Sequence, residues 1–399
     1  MCKHLRIWLF ALLATLLASN TLLAQGVITM TTSKAVGETI LLRVVANGNV
    51  SIEGALETGE MNEDGFKFYT IKSQTITIRG DVTELDCNEN QLTSLNVSKN
   101  TALTSLECSY NQLTSLDVSK NTALEELDCF SNQLTSLDVS KNTALEVLNC
   151  FSNQLTSLEV SKNTTLTKLW CSYNQLTSLD LSQNIALTKL DCSYDQLTSL
   201  DVSGCTALTE LNCINNQLTS LDVSKNTVLT ELECSYNQLT SLDLSQNTAL
   251  TELFCHSNQL TSLDVSKNTA LEVLDCLYNQ LTNLDVSKNT TLTSLECSYN
   301  QLTSLEVSKN TALTTLSCND NKLTNLNMSG CANLMVINCS NNYINGKAMT
   351  KLVNSLPNRR GMYCGTIFLV DSSSKKSDKN RCSAADVTTA KRKNWKVRQ

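Results

Sequence analysis

The sequence predicts a repeat solenoid of the α/β class, with parallel β-strands, little helix, a β-rich N-terminal cap and an α/β C-terminal cap. Thirteen of its 18 cysteines recur every 21 residues, from Cys87 to Cys339. Each unit also splits into two similar halves, such as LTSLECSYNQ and LTSLDVSKNTA in residues 103–123. With one proline in 399 residues the chain is not linker-rich, and an array whose core grows in one dimension accounts for its length.

Residues 1–24 predict a secretory signal peptide, in which Lys3 and Arg6 precede an apolar run over residues 7–17 and Ala24 lies at the cleavage point. Polar residues 19–21 leave this run shorter than the ~20 apolar residues of a membrane span. We therefore expect a mature protein that is secreted or held at the cell surface, without membrane insertion after cleavage. An uncleaved anchor is the alternative.

Residues 25–81 depart from the 21-residue period and predict an N-terminal cap. A solenoid end exposes an apolar cross-section, which a polar-backed cap covers. Five segments rich in β-branched residues, separated by Gly, Asn and Ser, are the predicted strands. They are residues 27–32, 38–46, 50–55, 65–72 and 75–79.

Twelve units over residues 82–333 and the start of a thirteenth predict a solenoid over residues 82–344. Alternation over two residues places Leu106 and Cys108 on one face of a strand and Glu107 on the other. A single coil cannot enclose its own leucines, so the coils must stack, and neighbouring strands then pair in parallel about 4.8 Å apart. Asn111 and its equivalents are expected to turn the chain inward and to hydrogen-bond buried backbone.

Three residues depart from this asparagine pattern. Asp195 replaces the asparagine of the first half in one unit, and Cys205 and Cys331 replace that of the second half, each after a glycine. We interpret the two cysteines as structural.

The unit L103-xx-L106-x-C108-xx-N111-x-L113 resembles the leucine-rich-repeat motif L-x-x-L-x-L-x-x-N-x-L, with cysteine in the third leucine position. Its nested 21-residue form is similar to that of secreted, internalin-like leucine-rich-repeat proteins of bacteria. The resemblance implies a solenoid whose strand face serves adhesion or recognition of a host or cell surface.

The 13 ladder cysteines are predicted to be free thiols that pack as small hydrophobes. Their Cβ atoms point the same way on parallel strands, whereas a disulfide needs facing Cβ atoms. The predicted disulfide lies outside the repeats, between Cys364 and Cys382. With His4 in the signal peptide, His256 is the one histidine left, which excludes a histidine-cluster metal site, and we expect no metal and no cofactor.

Residues 345–399 predict a basic α/β cap that continues the sheet. Residues 347–356 and 384–394 are helix-like, and residues 366–370 are strand-like. The segment contains 13 Lys or Arg against three Asp, a net charge of +10, which leaves about −19 on residues 25–344. A solvated cap is expected, with an acidic or anionic partner as the alternative, and the acidic array disfavours nucleic acid.

Two outward features repeat along the coils. A file of ten carboxylates runs from Asp117 to Glu306 and is expected to provide solubility and edge protection, with Ca²⁺ binding as an alternative. Tyrosines that precede the turn asparagine, from Tyr110 to Tyr299, are predicted to pack along a ridge.

The outward positions beside the ladder cysteines differ between coils and form the predicted binding site. Phe130, Phe151 and Trp170 fall on three consecutive coils and predict one apolar strip on the strand face, although a structural role fits the sequence equally well. The second candidate cluster is Phe254, His256 and Leu277.

The sequence predicts a non-enzymatic, monomeric protein that recognises an extracellular protein or glycan on another cell. It contains no G-x-S-x-G, no H-E-x-x-H and no phosphate-binding glycine loop. Cys255 and His256 are neighbours on a strand and so point to opposite faces, which excludes a nucleophile–base pair. The alternative is a structural spacer or surface rod without a dedicated ligand, which the uniformity of the coils favours.

Overall fold

The computed structural model describes residues 26–371 and 378–398. The predicted signal peptide lies outside the described residues. The chain divides into two compact units, one that ends at Leu166 and one that begins at Thr167, and each is described by itself below.

The first unit begins with the predicted β-rich cap, whose strands alternate buried and outward side chains. Ile28, Met30 and Thr32 of the first strand are buried, while the residues between them are partly exposed. The six strands are β1 (Val27–Thr32), β2 (Thr39–Ala46), β3 (Ser51–Glu53), β4 (Ala55–Met61), β5 (Lys67–Ile71) and β6 (Thr75–Arg79).

The coils of the first unit follow directly from this cap. Their strands are β7 (Val82–Asp86), β8 (Leu92–Asn96), β9 (Ser105–Glu107), β10 (Glu126–Asp128) and β11 (Val147–Asn149). β7, β9, β10 and β11 pair in parallel, in that order. At the start of the array β2 pairs antiparallel with β7, and β1 pairs antiparallel with β8. Cap strands thus cover both halves of the first coil. They pair the backbone N–H and C=O groups that the edge of an uncapped solenoid would expose.

The second unit is built from the same 21-residue coils. Its three-residue strands form a parallel sheet in which the central residues, 21 positions apart, are paired, as in Leu211 with Leu232 and Leu316 with Ile337. These strands are β12 (Lys168–Trp170), β13 (Lys189–Asp191), β14 (Glu210–Asn212), β15 (Glu231–Glu233), β16 (Glu252–Phe254), β17 (Val273–Asp275), β18 (Ser294–Glu296), β19 (Thr315–Ser317) and β20 (Val336–Asn338).

An α/β cap ends the second unit, as predicted. It comprises α1 (Lys347–Ser355), β21 (Gly365–Phe368), α2 (Ala384–Arg392) and β22 (Trp395–Arg398). β21 pairs in parallel with β20, and β22 pairs in parallel with β21, so the cap extends the sheet by two strands. Trp395 is fully buried, and its indole N–H donates to the Pro357 carbonyl at 2.9 Å.

The core consists of the repeated leucines, valines and cysteines, as the alternation predicts. Leu106 and Cys108 are completely buried, and so are their equivalents in the other coils, apart from one or two per cent exposure at a few leucines. Burying a leucine side chain contributes roughly 1.5–3 kcal/mol. Repetition of this contribution along the coils replaces the single large core of a globular domain.

Two asparagine ladders hold consecutive coils together, as predicted. Asn111 Nδ2 donates to the carbonyls of Cys87 at 3.1 Å and Cys108 at 3.0 Å, and its Oδ1 accepts the Leu92 N–H at 2.8 Å. In the second half, Asn142 Nδ2 donates to the Val118 carbonyl at 3.0 Å. The amide thus satisfies backbone groups that the narrow core would otherwise leave unpaired.

Cys205 and Cys331 occupy the second-half asparagine position, as predicted for structural residues. The Cys331 thiol lies 3.1 Å from the Val307 carbonyl, the acceptor that the asparagine amide would use, and the Cys205 thiol lies 3.9 Å from that of Leu181. The thiol is a weaker donor than the amide but places a small buried group at the same point.

The left-handed turn residue is the one before the first-half asparagine, whereas the sequence predicted that the asparagine itself turns the chain. Tyr110 has a φ of 53° and Ser131 one of 54°, both in the left-handed region, and the equivalent residues of the other coils match them. The asparagine itself supplies the hydrogen bonds that hold this turn.

The 13 ladder cysteines are buried free thiols, as predicted. Burial holds the pKa of the Cys108 thiol well above its usual value, and the same holds for Cys129 and Cys255. The thiolate, which is the reactive form, is therefore disfavoured in the core.

The predicted disulfide between Cys364 and Cys382 is not formed, and both thiols are free. Cys364 immediately precedes β21, whereas the Asn380 amide donates to the Leu369 carbonyl, just past the far end of β21, at 2.8 Å. Cys382 follows Asn380 by two residues. A four-residue strand spans about 13 Å, and disulfide-bonded residues have Cα atoms within about 7 Å.

Candidate binding surface

We define the strand face by three outward positions in each coil. They are the first and third residues of each three-residue strand and the residue that follows the ladder cysteine, such as Glu126, Asp128 and Phe130 around β10. Side chains at alternate positions of a strand point to the same side, so the three lie in a row across the coil.

An aromatic cluster in the first unit consists of Phe130 and Phe151, which lie on the strand face, and of Tyr110, which lies beside it at the residue before the turn asparagine. The ring centroids of Tyr110 and Phe130 are 4.5 Å apart, and those of Phe130 and Phe151 are 6.2 Å apart, both with edge-to-face geometry. Phe130 and Phe151 are half-buried, and 54% of Tyr110 is exposed. Three rings in contact, partly open to solvent, form an apolar anchor of the kind found at binding surfaces.

Trp170 belongs to the second unit and occupies a different position from Phe130 and Phe151. It is the third residue of β12, where its Cα pairs with that of Asp191, whereas Phe130 and Phe151 follow their ladder cysteines. The two positions are separated by about 6.6 Å along a strand. The three residues therefore do not form the single predicted strip. Phe130 and Phe151 share the position after the ladder cysteine, whereas Trp170 occupies the position before it.

The second predicted cluster also combines two positions. Phe254 is the third residue of β16, while His256 and Leu277 follow the ladder cysteines of consecutive coils. All three are half-buried, and the His256 ring lies edge to face with Tyr236, their centroids 4.9 Å apart. Burial raises the pKa of the Asp275 carboxyl, and the nearby His256 ring partly opposes this effect.

Carboxylates line the strand face of the second unit beside these aromatic residues. A groove of about 160 Å³ is bordered by Trp170, Lys189, Asp191, Glu210, Asn212, Glu231 and Glu233. Burial, helped by the charges of Glu231 and Asp191, raises the pKa of Glu233 to about 6. Burial and the charges of Glu252 and Glu210 also raise the pKa of Glu231.

The first unit has an acidic depression of about 320 Å³ on its strand face, lined by residues that include Glu84, Glu107 and Glu126. Arg43 of β2 forms ion pairs there with Glu107 at 3.2 Å and with Glu84 at 3.7 Å. No role was predicted for these strand-face carboxylates from the sequence. The recurrence of Glu and Asp at the first and third strand positions is the sequence pattern that could have indicated them.

The outer acidic file has a structural role in the turns. Asp222 Oδ1 accepts the backbone N–H of Ser224 at 2.9 Å, and Asp243 accepts that of Ser245 at the same distance. These hydrogen bonds lower the pKa of both carboxyls.

Within residues 26–371 and 378–398, no group of three His, Cys, Asp or Glu has an arrangement that could hold a metal ion.

The tyrosines pack along a ridge beside the strand face, as predicted. Tyr173 stacks on Tyr194 with centroids 4.2 Å apart, and Tyr278 stacks on Tyr299 at 4.1 Å. All four remain 38–51% exposed, so the ridge widens the aromatic surface next to the strand face.

In the part of the chain that the structure describes, no helix has the length and apolar character needed to cross a membrane.

Comparison with known proteins identifies the repeat. A family model described as Leucine Rich repeats (2 copies) matches residues 122–163. The functional domain of InlJ from Listeria monocytogenes, whose structure includes a cysteine ladder, is 35% identical over 75% of this chain and 77% of that chain, with a TM-score of 0.53. A search of curated proteins finds no match.

Two further solved structures share the fold. The internalin inlF from Listeria monocytogenes is 24% identical over 66% of this chain and 82% of that chain, with a TM-score of 0.60. The leucine-rich-repeat protein LIC12759 from Leptospira interrogans is 23% identical over 79% and 83%, with a TM-score of 0.67.

Proposed function

Because the chain belongs to the internalin-like leucine-rich-repeat family, whose arrays serve protein–protein recognition in general, we propose that it is an extracellular recognition protein that binds a partner on another cell through its strand face. The binding is non-enzymatic and of the adhesion type. A protein is the expected partner, with a surface glycan as the alternative chemistry.

The aromatic cluster of Tyr110, Phe130 and Phe151 is the observation that carries this proposal. The coil does not need these phenylalanines, since most other coils have a serine at the same position, such as Ser109 and Ser172. Half-exposed phenylalanine rings cost solubility, and clustered aromatic side chains dominate the binding energy of many interfaces.

The buried cysteine ladder supports an extracellular site of action. Free thiols are uncommon in oxidising compartments, because exposed thiolates form disulfides. Here each ladder thiol is buried immediately after a strand, and none of the 13 is disulfide-bonded. The ladder therefore tolerates the oxidising surroundings to which the predicted signal peptide would direct the chain.

The test is a binding screen of the purified protein against extracellular-matrix proteins, epithelial surface proteins and a glycan panel. A Phe130→Ser/Phe151→Ser variant introduces the residue found in most other coils and should abolish saturable binding. A Phe130→Ser/Phe151→Ser/Trp170→Ser variant extends the test to the second unit. Circular dichroism verifies that each variant is folded.

Ile185 and Val228 offer a matched control. They are apolar residues outside the strand face, 64% and 45% exposed. Most other coils carry threonine or alanine at these two positions. Ile185→Thr/Val228→Ala should leave binding unchanged. Binding that survives loss of the phenylalanines but falls in this control would overturn the strand-face proposal. No binding across the screen by the folded protein would favour the structural spacer.

A further inference from the structure

We infer that the strand face of the second unit, between Trp170 and Phe254, binds a lysine- or arginine-rich segment of the partner protein. This inference rests on the proposed function, because it names the partner chemistry for the same face. It concerns the groove beside β13–β15 rather than the aromatic cluster of the first unit.

The charge of this face is strongly one-sided. The first and third positions of strands β12 to β16 carry two lysines and five carboxylates. The lysines are Lys168 and Lys189, and the carboxylates are Asp191, Glu210, Glu231, Glu233 and Glu252. A surface with this excess of negative charge attracts a cationic partner and repels an anionic one.

The strand register places like charges side by side. Glu210 pairs with Glu231, and Glu231 pairs with Glu252, at the same position of three adjacent parallel strands. Adjacent strands lie about 4.8 Å apart, so these carboxylates repel one another unless a cation lies between them. Lys189 forms an ion pair with Glu210, which leaves Glu231 and Glu233 among other carboxylates.

The raised pKa values of Glu231 and Glu233 agree with this geometry. Burial and neighbouring negative charges both disfavour their ionised forms in the free protein. A bound ammonium or guanidinium would compensate both effects, and part of the repulsion would be released on binding.

Aromatic rings stand at both ends of the acidic segment. Trp170 borders the groove beside Lys189 and Asp191, and Phe254 is paired with Glu233 on the next strand. Cations bind favourably over the faces of such rings, and guanidinium groups also stack on them. A face that combines carboxylates with aromatic rings suits lysine and arginine side chains better than it suits a simple ion.

The dimensions favour an extended peptide over a metal ion. The carboxylates lie in files along the sheet, and none of the described residues form a cluster suited to a metal. A groove of about 160 Å³ accepts a side-chain head group but not a drug-sized ligand. β12 to β16 span about 19 Å, the length of roughly six extended residues.

The test measures binding of a fluorescent octalysine peptide to the purified protein by anisotropy at low and physiological salt. The Glu231→Gln/Glu233→Gln variant should bind at least about tenfold more weakly, as expected for the loss of two partly buried ion pairs. Trp170→Leu should weaken binding by about threefold to fivefold through the lost cation–π contact. Affinity should also fall as salt rises.

The matched control is Asp222→Asn/Asp243→Asn, which removes the same net charge from the exposed acidic file of the same unit. Its affinity should stay within about twofold of the unmodified protein. An equal loss in both double variants would mean attraction by net charge alone and would overturn the inference. Absence of octalysine binding would also overturn the inference. Tight binding of spermine without binding of the peptide would overturn it as well.

The two proposals fail in different ways. A partner whose binding is lost in Phe130→Ser/Phe151→Ser but unaffected by Glu231→Gln/Glu233→Gln, and not displaced by octalysine, would overturn this inference and leave the proposed function intact. If octalysine binds at the groove but no partner is found, the proposed function fails while the cation preference of the groove stands.

Discussion

Replacing Asp195 by asparagine should stabilise the protein, and increasingly so as pH rises. Asp195 stands in the first-half asparagine ladder, and its Oδ1 still accepts the Leu176 N–H at 2.8 Å. In the next coil Asn216 Nδ2 donates to the carbonyls of Cys192 at 2.9 Å and Cys213 at 3.2 Å. An ionised aspartate has no proton to donate, and Asp195 Oδ2 is buried without a hydrogen-bond partner among the described residues.

The magnitude follows from the pKa of Asp195. Burial raises this pKa from 3.8 to about 7. Because the folded protein binds this proton more tightly than the unfolded chain, the contribution of Asp195 to stability is most favourable below pH 4 and is lost as pH rises through 7. At about 1.4 kcal/mol per pKa unit, ionisation of Asp195 costs about 4 kcal/mol above pH 7, of which about 3 kcal/mol develops between pH 5 and pH 8.

Urea unfolding at pH 5 and pH 8 tests this reasoning. The free energy of unfolding of Asp195→Asn should exceed that of the unmodified protein at both pH values, with a difference that grows by about 3 kcal/mol between them. Asn237→Asp is the reverse control, since Asn237 Nδ2 donates to three carbonyls at 3.0–3.2 Å. It should introduce a second loss of stability with rising pH. A gain from Asp195→Asn that is the same at both pH values would refute the argument.

Three further predictions follow from the core and the cap. A thiol reagent added to the folded protein should label exposed Cys364 first and spare the ladder cysteines. Cys382 should react more slowly than Cys364, because burial raises its pKa to about 11, and mass spectrometry before and after denaturation checks this. Leu232→Ala should lower the free energy of unfolding by about 3–5 kcal/mol in urea, since the side chain is fully buried. Ser383→Ala should cost about 1 kcal/mol and lower the melting temperature, because Ser383 Oγ and the Asp386 carboxylate form a capping box at the start of α2.

The repeat made the core predictable from sequence alone. The same residue types recur at the buried positions of each coil. The leucines, the cysteine ladder and both asparagine ladders could therefore be assigned without knowledge of the strand register. The cap helices and most cap strands were also predicted, since helix-like and β-branched segments mark them directly. Two cap strands were missed: β4 shares only Ala55 with a predicted segment, and no strand was predicted at β22. These features depend on local pattern and on stacking with an identical neighbour.

Features that depend on distances between different segments were harder to predict. Rejecting the pairing of Cys364 with Cys382 required knowing that the chain is still at the far end of β21 when it reaches Cys382, because α2, which leads back to the start of β22, follows that residue. The separate positions of Phe130 and Trp170 required an exact count from the ladder cysteine. The left-handed turn at Tyr110 has no strong signal, because tyrosine, serine, asparagine and aspartate all occupy this position in different coils.

The distribution of substitutions among the coils bears on the choice between a binding protein and a spacer. A spacer needs only the residues that build the coil, namely the buried leucines, valines and cysteines and the two asparagine ladders. The outer acidic file, which caps turns, is nearly constant, as a structural role requires. On the strand face, by contrast, one position ranges from Asp191 to Trp170 and Phe254, and the position after the ladder cysteine ranges from serine to Phe130. The coil forms equally well with each of these residues, so packing does not select among them. Large apolar substitutions that recur on the strand face, at positions where packing does not require them, are expected if that face binds a partner.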